Sequence, residues 1–169
     1  LELLQSFLLN TIHNAINKNR RTTMQDLLLD TQNREALQEQ LLEKIEKKEY
    51  TVGIIGLGYV GLPLMWTFHE MGMPVMGLDI DEDKVTCIEE GRPYIKHLGE
   101  EMMEVLSTSD KCSATTDFSR LKEADAILMC VPTPLDRYRE PDMSFVEKTT
   151  QTVAENLRRG HLVILESTT

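Results

Sequence analysis

Nothing in this chain marks a disulfide scaffold or a structural zinc site. It holds three cysteines, Cys87, Cys112 and Cys130, an odd number at wide spacing. No C-x-x-C occurs, and the four histidines form no ligand pattern. A reducing, cytoplasmic compartment fits that usage. No apolar run approaches the ~18 residues of a membrane span. The opening Leu1-Glu2-Leu3-Leu4 lacks both the positive stretch of a signal peptide and an initiator Met, so a processed or trimmed piece is expected. Excess positive charge is missing too: 18 Lys+Arg stand against 28 Asp+Glu, a net charge of −10. Such an acidic chain is a poor nonspecific partner for nucleic acid or an anionic membrane. There is no internal repeat and no low-complexity tract. What remains is 169 residues, 41% hydrophobic and 27% charged, the make-up of an ordinary soluble domain with or without an appendage.

Glycine and proline are absent from residues 1–49; all nine Gly and six Pro lie beyond. This first stretch reads as a helical extension. Leu1, Leu4, Leu8, Ile12 and Ala15 recur every three or four residues, and polar residues from Asn17 to Thr23 break the pattern. A second helix is predicted from about Met24 to Lys48. Asp30 is a candidate cap for a restart within it, with Leu37, Leu41 and Ile45 on one face. The extension either covers the domain's own apolar surface or serves self-association or partner docking, and a homo-oligomer is expected. Leu1–Asn17 carries no Lys or Arg, which argues against a membrane-surface role.

From Thr51 the pattern changes. Short apolar runs (TVGIIGL at 51–57, PVMGLDI at 74–80, AILMCV at 126–131, LVIL at 162–165) alternate with amphipathic segments. Helices are predicted over Val60–Met71, Glu82–Glu90, Gly99–Leu106, Phe118–Glu123 and Ser144–Leu157, with a weak strand at Cys112–Thr115. A capping box of Ser144 and Glu147 is expected to open the last helix. Continuously apolar strands alternating with helices imply a doubly wound, mainly parallel α/β sheet of about five strands, Rossmann-like and covered on both faces.

The sharpest motif is Gly56-Leu57-Gly58-Tyr59-Val60-Gly61, a G-x-G-x-x-G between a strand and a helix. Gly56 allows a tight turn, Gly58 lets backbone approach a pyrophosphate, and Gly61 lets helix pack on strand. The N–H groups near Tyr59 and Val60 would face the phosphate charge. Asp79 ends the second strand, where an acid is expected to hold the adenosine ribose and repel a 2′-phosphate. NAD is therefore favoured over NADP. Asp79 could instead merely start a turn, although Asp81 could do that. Lys84 could reach the cofactor or, as its spacing alone favours, pair with neighbouring glutamates. Val131, Pro132 and Thr133 follow a core strand at its carboxyl end, as Ser167, Thr168 and Thr169 follow the last one. Cys130 reads as a buried packing residue rather than a nucleophile.

Taken together, VGIIGLGYVGLPL (52–64), GLDIDEDKV (77–85), CVPTPL (130–135), EPDMS (140–144) and VILESTT (163–169) resemble the N-terminal half of the UDP-glucose/GDP-mannose dehydrogenase family, the nucleotide-sugar 6-dehydrogenases. The resemblance runs from Tyr50 to Thr169, and CVPTPL, REPD and LESTT resemble most the UDP-N-acetylglucosamine 6-dehydrogenase branch. It implies oxidation of the C6 hydroxyl of a UDP-sugar to a carboxylate with two NAD. It implies that Val60, Asp79, Lys84 and Thr133 contact the cofactor. It also implies that Thr168 lies near the nicotinamide and helps position a catalytic water. The family's nucleophilic cysteine, catalytic lysine and asparagine match nothing here, so residues 50–169 are expected to bind NAD without oxidising a sugar by themselves. The alternative is a stand-alone NAD-binding or redox-sensing module with a helical interaction element. A two-domain hydroxy-acid dehydrogenase shares the glycine motif but not CVPTPL or ESTT.

Overall fold

A computed structural model describes residues 24–96, 99–135 and 137–167, with side chains described from residue 34 onward. The helix expected over Leu1–Ala15, and Thr168 with Thr169, lie outside the described residues.

Five short strands form one parallel sheet: β1 (Val52–Ile55), β2 (Val75–Leu78), β3 (Cys112–Thr115), β4 (Ala126–Met129) and β5 (Leu162–Leu165). Their spatial order is β3-β2-β1-β4-β5. All four pairings are parallel and in even register, with Val52 opposite both Val75 and Ala126. Alternation within the strands divides the core. Val52, Ile54, Val75, Ala126 and Leu128 point to one face. Ile55, Met76, Leu78, Ile127 and Met129 point to the other. Because both faces are covered, β1, β2 and β4 are buried at every position, which is why they read as unbroken apolar runs. Full burial of such a side chain stabilises by roughly 1.5–3 kcal/mol.

The helices follow in order. They are α1 (Met24–Glu46), α2 (Gly61–Glu70), α3 (Glu82–Glu89), α4 (Glu100–Thr108) and α5 (Ser144–Glu155), with a 3-10 turn at Phe118–Glu123. Helices α2, α3 and α4 bury Leu62, Met65, Val85, Ile88, Met103 and Leu106 on the first face. The 3-10 turn and α5 bury Leu121, Val146 and Val153 on the second.

Three local expectations are corrected. First, α1 runs through Asp30 without interruption. Second, its inward face is Leu37, Leu41 and Lys44 rather than a stripe ending in Ile45, which is 52% exposed. Steps of four and three keep the contact line over Lys44, because a buried carboxylate waits there. Third, the capping box at Ser144 does not form. Asp142 does that work: its Oδ1 accepts the Ser144 N–H at 3.0 Å. The upstream carboxylate reaches the turn, so Ser144 becomes the first helical residue instead of the cap.

The buried carboxylate beneath α1 is Asp125, just before β4 and 1% exposed. It accepts from Lys44 Nζ at 2.8 Å, Arg158 Nη2 at 2.8 Å and the Thr51 N–H at 3.1 Å. Burial works to raise its carboxyl, but the bonds from Lys44, Arg158 and Thr51 outweigh it and hold it below the usual carboxylate range. One side chain thereby joins α1, the start of β1, the start of β4 and the turn before β5. Removing one partner of a buried ionic cluster costs about 3–5 kcal/mol; here both cations keep solvent access, so D125A is expected to cost about 3 kcal/mol in urea unfolding at neutral pH. A folded carboxyl held low gives stability that is complete above its unfolded titration range. That stability fades as the pH drops through the lower folded value. The gap between wild type and D125A should therefore persist at neutral pH and close only on strong acidification.

Candidate functional site

The sheet order reverses between β1 and β4, and a cavity of about 680 Å³ opens at the carboxyl ends of those strands. This is where doubly wound sheets take ligands, and the volume suits a cofactor.

The chain leaves β1 through Gly56, whose φ is +93°. A Cβ there would stand 2.5 Å from the Cys130 carbonyl oxygen, so only glycine lets the bend close against the end of β4. A Cβ on Gly61 would overlap the Gly56 carbonyl oxygen, so the start of α2 rests directly on the bend. At Gly58 an added Cβ would meet nothing within 4 Å. The three glycines thus divide into two the fold requires and one facing open space. Among the described residues, no group accepts from the main-chain N–H of Gly58, Tyr59 or Val60. Tyr59 is 80% exposed. Donors without acceptors at the start of a helix form an anion cradle.

Leu57 fixes the bend. Its side chain is fully buried, where Gly77 of β2 leaves room; a Cβ on Gly77 would come 2.8 Å from Leu57 Cδ2. Its N–H donates to Asp79 Oδ2 at 2.8 Å. Its carbonyl accepts from the Tyr94 hydroxyl at 2.8 Å. Asp79, 5% exposed, also accepts the Asp81 N–H on Oδ1 at 3.0 Å and Lys84 Nζ on Oδ2 at 2.9 Å. Asp79 therefore lines the cavity and shapes the turn at once, while Asp81 caps α3 by accepting the Asp83 N–H. Lys84 pairs with Asp79 and not with its glutamate neighbours.

Of the residues expected from sequence, Gly56, Gly58, Tyr59 and Val60 line the cavity on one side, with Asp79 and Lys84 beyond them. Val131, Pro132 and Thr133 line it as well, and so does Ser167, whose hydroxyl donates to the Val131 carbonyl at 2.7 Å. Gly61 lies beneath the bend and does not line it. Thr168 lies outside the described residues. Cys130 is a partial correction: it packs on the core but is half-buried and lines the cavity. Burial, and then the charge of Glu166, push its thiol up to about 11.

Sequence reasoning missed Tyr94, Phe118, Phe145 and Thr149, all at the cavity. Phe118 is the first residue of its 3-10 turn and Phe145 the second of α5, positions that periodicity treats as a boundary. Tyr94 sits in the link between α3 and α4. Burial, then the charges of Asp79, Cys87 and Asp81, push its hydroxyl up, so it remains a donor.

The family model for the NAD binding domain of the UDP-glucose/GDP-mannose dehydrogenases matches residues 50–169. The chain is 38% identical over 118 residues to the UDP-N-acetyl-D-mannosamine dehydrogenase of Escherichia coli (strain K12), covering 70% of this chain and 28% of that one. It is 37% identical over 119 residues to the NDP-N-acetyl-D-galactosaminuronic acid dehydrogenase of Ralstonia nicotianae, covering 70% and 27%. Among solved structures, the UDP-D-ManNAc dehydrogenase from Pyrococcus horikoshii superposes with a TM-score of 0.63 at 38% identity, covering 70% of this chain and 28% of that one. The chain spans about 28% of the length of the Escherichia coli relative.

The raised Cys130 thiol sets a reactivity. At pH 8 only about a thousandth of it is thiolate, the reactive form. Alkylation of Cys130 by iodoacetamide, followed by peptide mass spectrometry, should run about a hundredfold slower in the folded chain than in urea. Equal rates would show that its thiol is not so shielded.

Proposed function

The chain belongs to the UDP-glucose/GDP-mannose dehydrogenase family, and on that premise we propose that the cavity at the ends of β1 and β4 is its NAD site. One observation carries this reading. The N–H groups of Gly58, Tyr59 and Val60 have no described acceptor and stand beside the open space over Gly58, with an anchored carboxylate next to them. A dinucleotide supplies both complements, a diphosphate for the donors and ribose hydroxyls for the acid.

On this reading Gly58, Tyr59 and Val60 hold the diphosphate by backbone. The two oxygens of Asp79 offer about four lone-pair sites, of which three are engaged. The remaining capacity takes a ribose hydroxyl. Lys84 fixes the carboxylate and contacts the adenosine half. Val131, Pro132 and Thr133 wall the nicotinamide side, and the family resemblance implies that Thr168 positions a catalytic water. NAD, when bound, supplies the hydride acceptor for oxidising an alcohol. The whole protein would oxidise the C6 hydroxyl of a nucleoside-diphosphate sugar to a carboxylate. The relatives named above favour UDP-N-acetyl-D-mannosamine over the UDP-N-acetylglucosamine branch that the motifs resemble. None of the three cysteines matches the family's nucleophile, and burial pushes two of their thiols up, Cys130 to about 11 and Cys112 to about 12. The 169 residues alone should therefore bind NAD without turning over either UDP-sugar, and steady NADH formation with either would contradict that.

Two substitutions test the pose by titration calorimetry. A Cβ at position 58 would meet no protein atom within 4 Å, so the melting temperature of G58V should stay within a few degrees of wild type while NAD binding is lost. Unchanged affinity would refute the pose. D79N keeps the side-chain volume but removes the charge. It should lower the NAD-over-NADP preference by about tenfold, or about 1.4 kcal/mol. A preference that did not move would leave Asp79 as a turn residue only.

A further inference from the structure

The bend after β1 contains two successive peptide units on either side of Leu57, and separate side chains hold them. The Gly56–Leu57 unit is held by Asp79, which accepts the Leu57 N–H. The Leu57–Gly58 unit is held by Tyr94, whose hydroxyl donates to the Leu57 carbonyl at 2.8 Å. The first contact comes from a residue the glycine motif leads one to expect. The second comes from the link between α3 and α4, which no motif pointed to.

The second contact has a directional consequence. No cis peptide bond occurs among the described residues, so the Leu57 carbonyl and the Gly58 N–H lie in one plane and point in opposite directions. Fixing the carbonyl fixes the N–H. Without a tether this unit could turn over readily. It is flanked by Gly58, which has no side chain and open space around it, so rotation meets little resistance. Turned over, it would present a carbonyl oxygen where the N–H now stands and would repel an anion. The tether is itself well fixed. Tyr94 packs against the core of the first sheet face, its neighbour Ile95 is buried, and the leucine it grips is buried completely.

We propose that Tyr94 is a positioning residue for the diphosphate: its hydroxyl locks the Leu57–Gly58 peptide in the orientation that offers the Gly58 N–H, beside those of Tyr59 and Val60, to the phosphate oxygens. This rests on the reading of the cavity as the NAD site. It extends that reading to a residue that lines the cavity but acts through the backbone of the bend.

The test compares ligands with and without phosphate on the 169-residue chain and its Y94F variant. Y94F keeps the ring and removes only the donor. A neutral hydrogen bond is worth about 1 kcal/mol, so affinity for NAD and ADP should fall about fivefold in calorimetry. Affinity for adenosine, read as displacement of NAD, should not change. If NAD and ADP bind Y94F as tightly as wild type, or if adenosine weakens by the same factor, Tyr94 has no positioning role. Wild-type chain that fails to bind NAD overturns the cavity assignment and this proposal together. Wild-type binding with an unaltered Y94F overturns the proposal alone.

Discussion

The bond from the Leu57 N–H to the Asp79 carboxylate ties the bend after β1 to the end of β2, and the candidate site stands on that tie. Leu57 itself is buried against Gly77, one strand away, so the bend is fixed by both packing and hydrogen bonding. From this point the chain has few choices. Gly56 turns under β4, Gly61 lies on Gly56, and α2 starts with its free donors over open space. The same carboxylate then organises the start of α3 through Asp81 and Lys84. A residue expected to meet a ligand is thus also part of the frame, which is why D79N is a better probe than a truncation to alanine.

A second buried aspartate performs a comparable task at the other end of the sheet. Asp125 sits before β4 and gathers Lys44, Arg158 and the Thr51 N–H. Each aspartate joins segments distant in sequence. Asp79 is satisfied by two backbone N–H groups and one cation, Asp125 by one backbone N–H and two cations, as a buried carboxylate must be. Their settings differ in what lies beside them. Asp79 borders a cavity, whereas Asp125 is enclosed by α1 and the turn before β5. In a doubly wound sheet the carboxyl ends of the strands take ligands, so the first has a role open to chemistry and the second holds the elements together.

Most of the architecture was legible because its signals are local. Strands buried on both faces must be apolar throughout, and β1, β2 and β4 announced themselves that way. The glycine motif was legible because its reasons lie within a few residues: two positions are pressed against main chain and the third faces open space. What escaped depended on partners outside the element being read, most of them far away in sequence. Lys44, and not Ile45, turns inward because Asp125 lies beneath it. Ser144 yields the cap to Asp142 because the preceding loop brings that side chain to the turn. Tyr94 could not be read at all, since its importance lies in a carbonyl 37 residues earlier. Spacing rules describe one element at a time, and a hydroxyl crossing between two links has no period.

The placement of α1 has a practical corollary. It is fastened beneath the amino ends of the strands, and β1 alone, at four residues, separates that region from the bend by roughly 13 Å. Lys44, Asp125 and Arg158, which make this fastening, are not among the residues that line the cavity. A substitution at that seam would loosen the base of the sheet a strand's length away from the bend, without touching the groups that face the open space there.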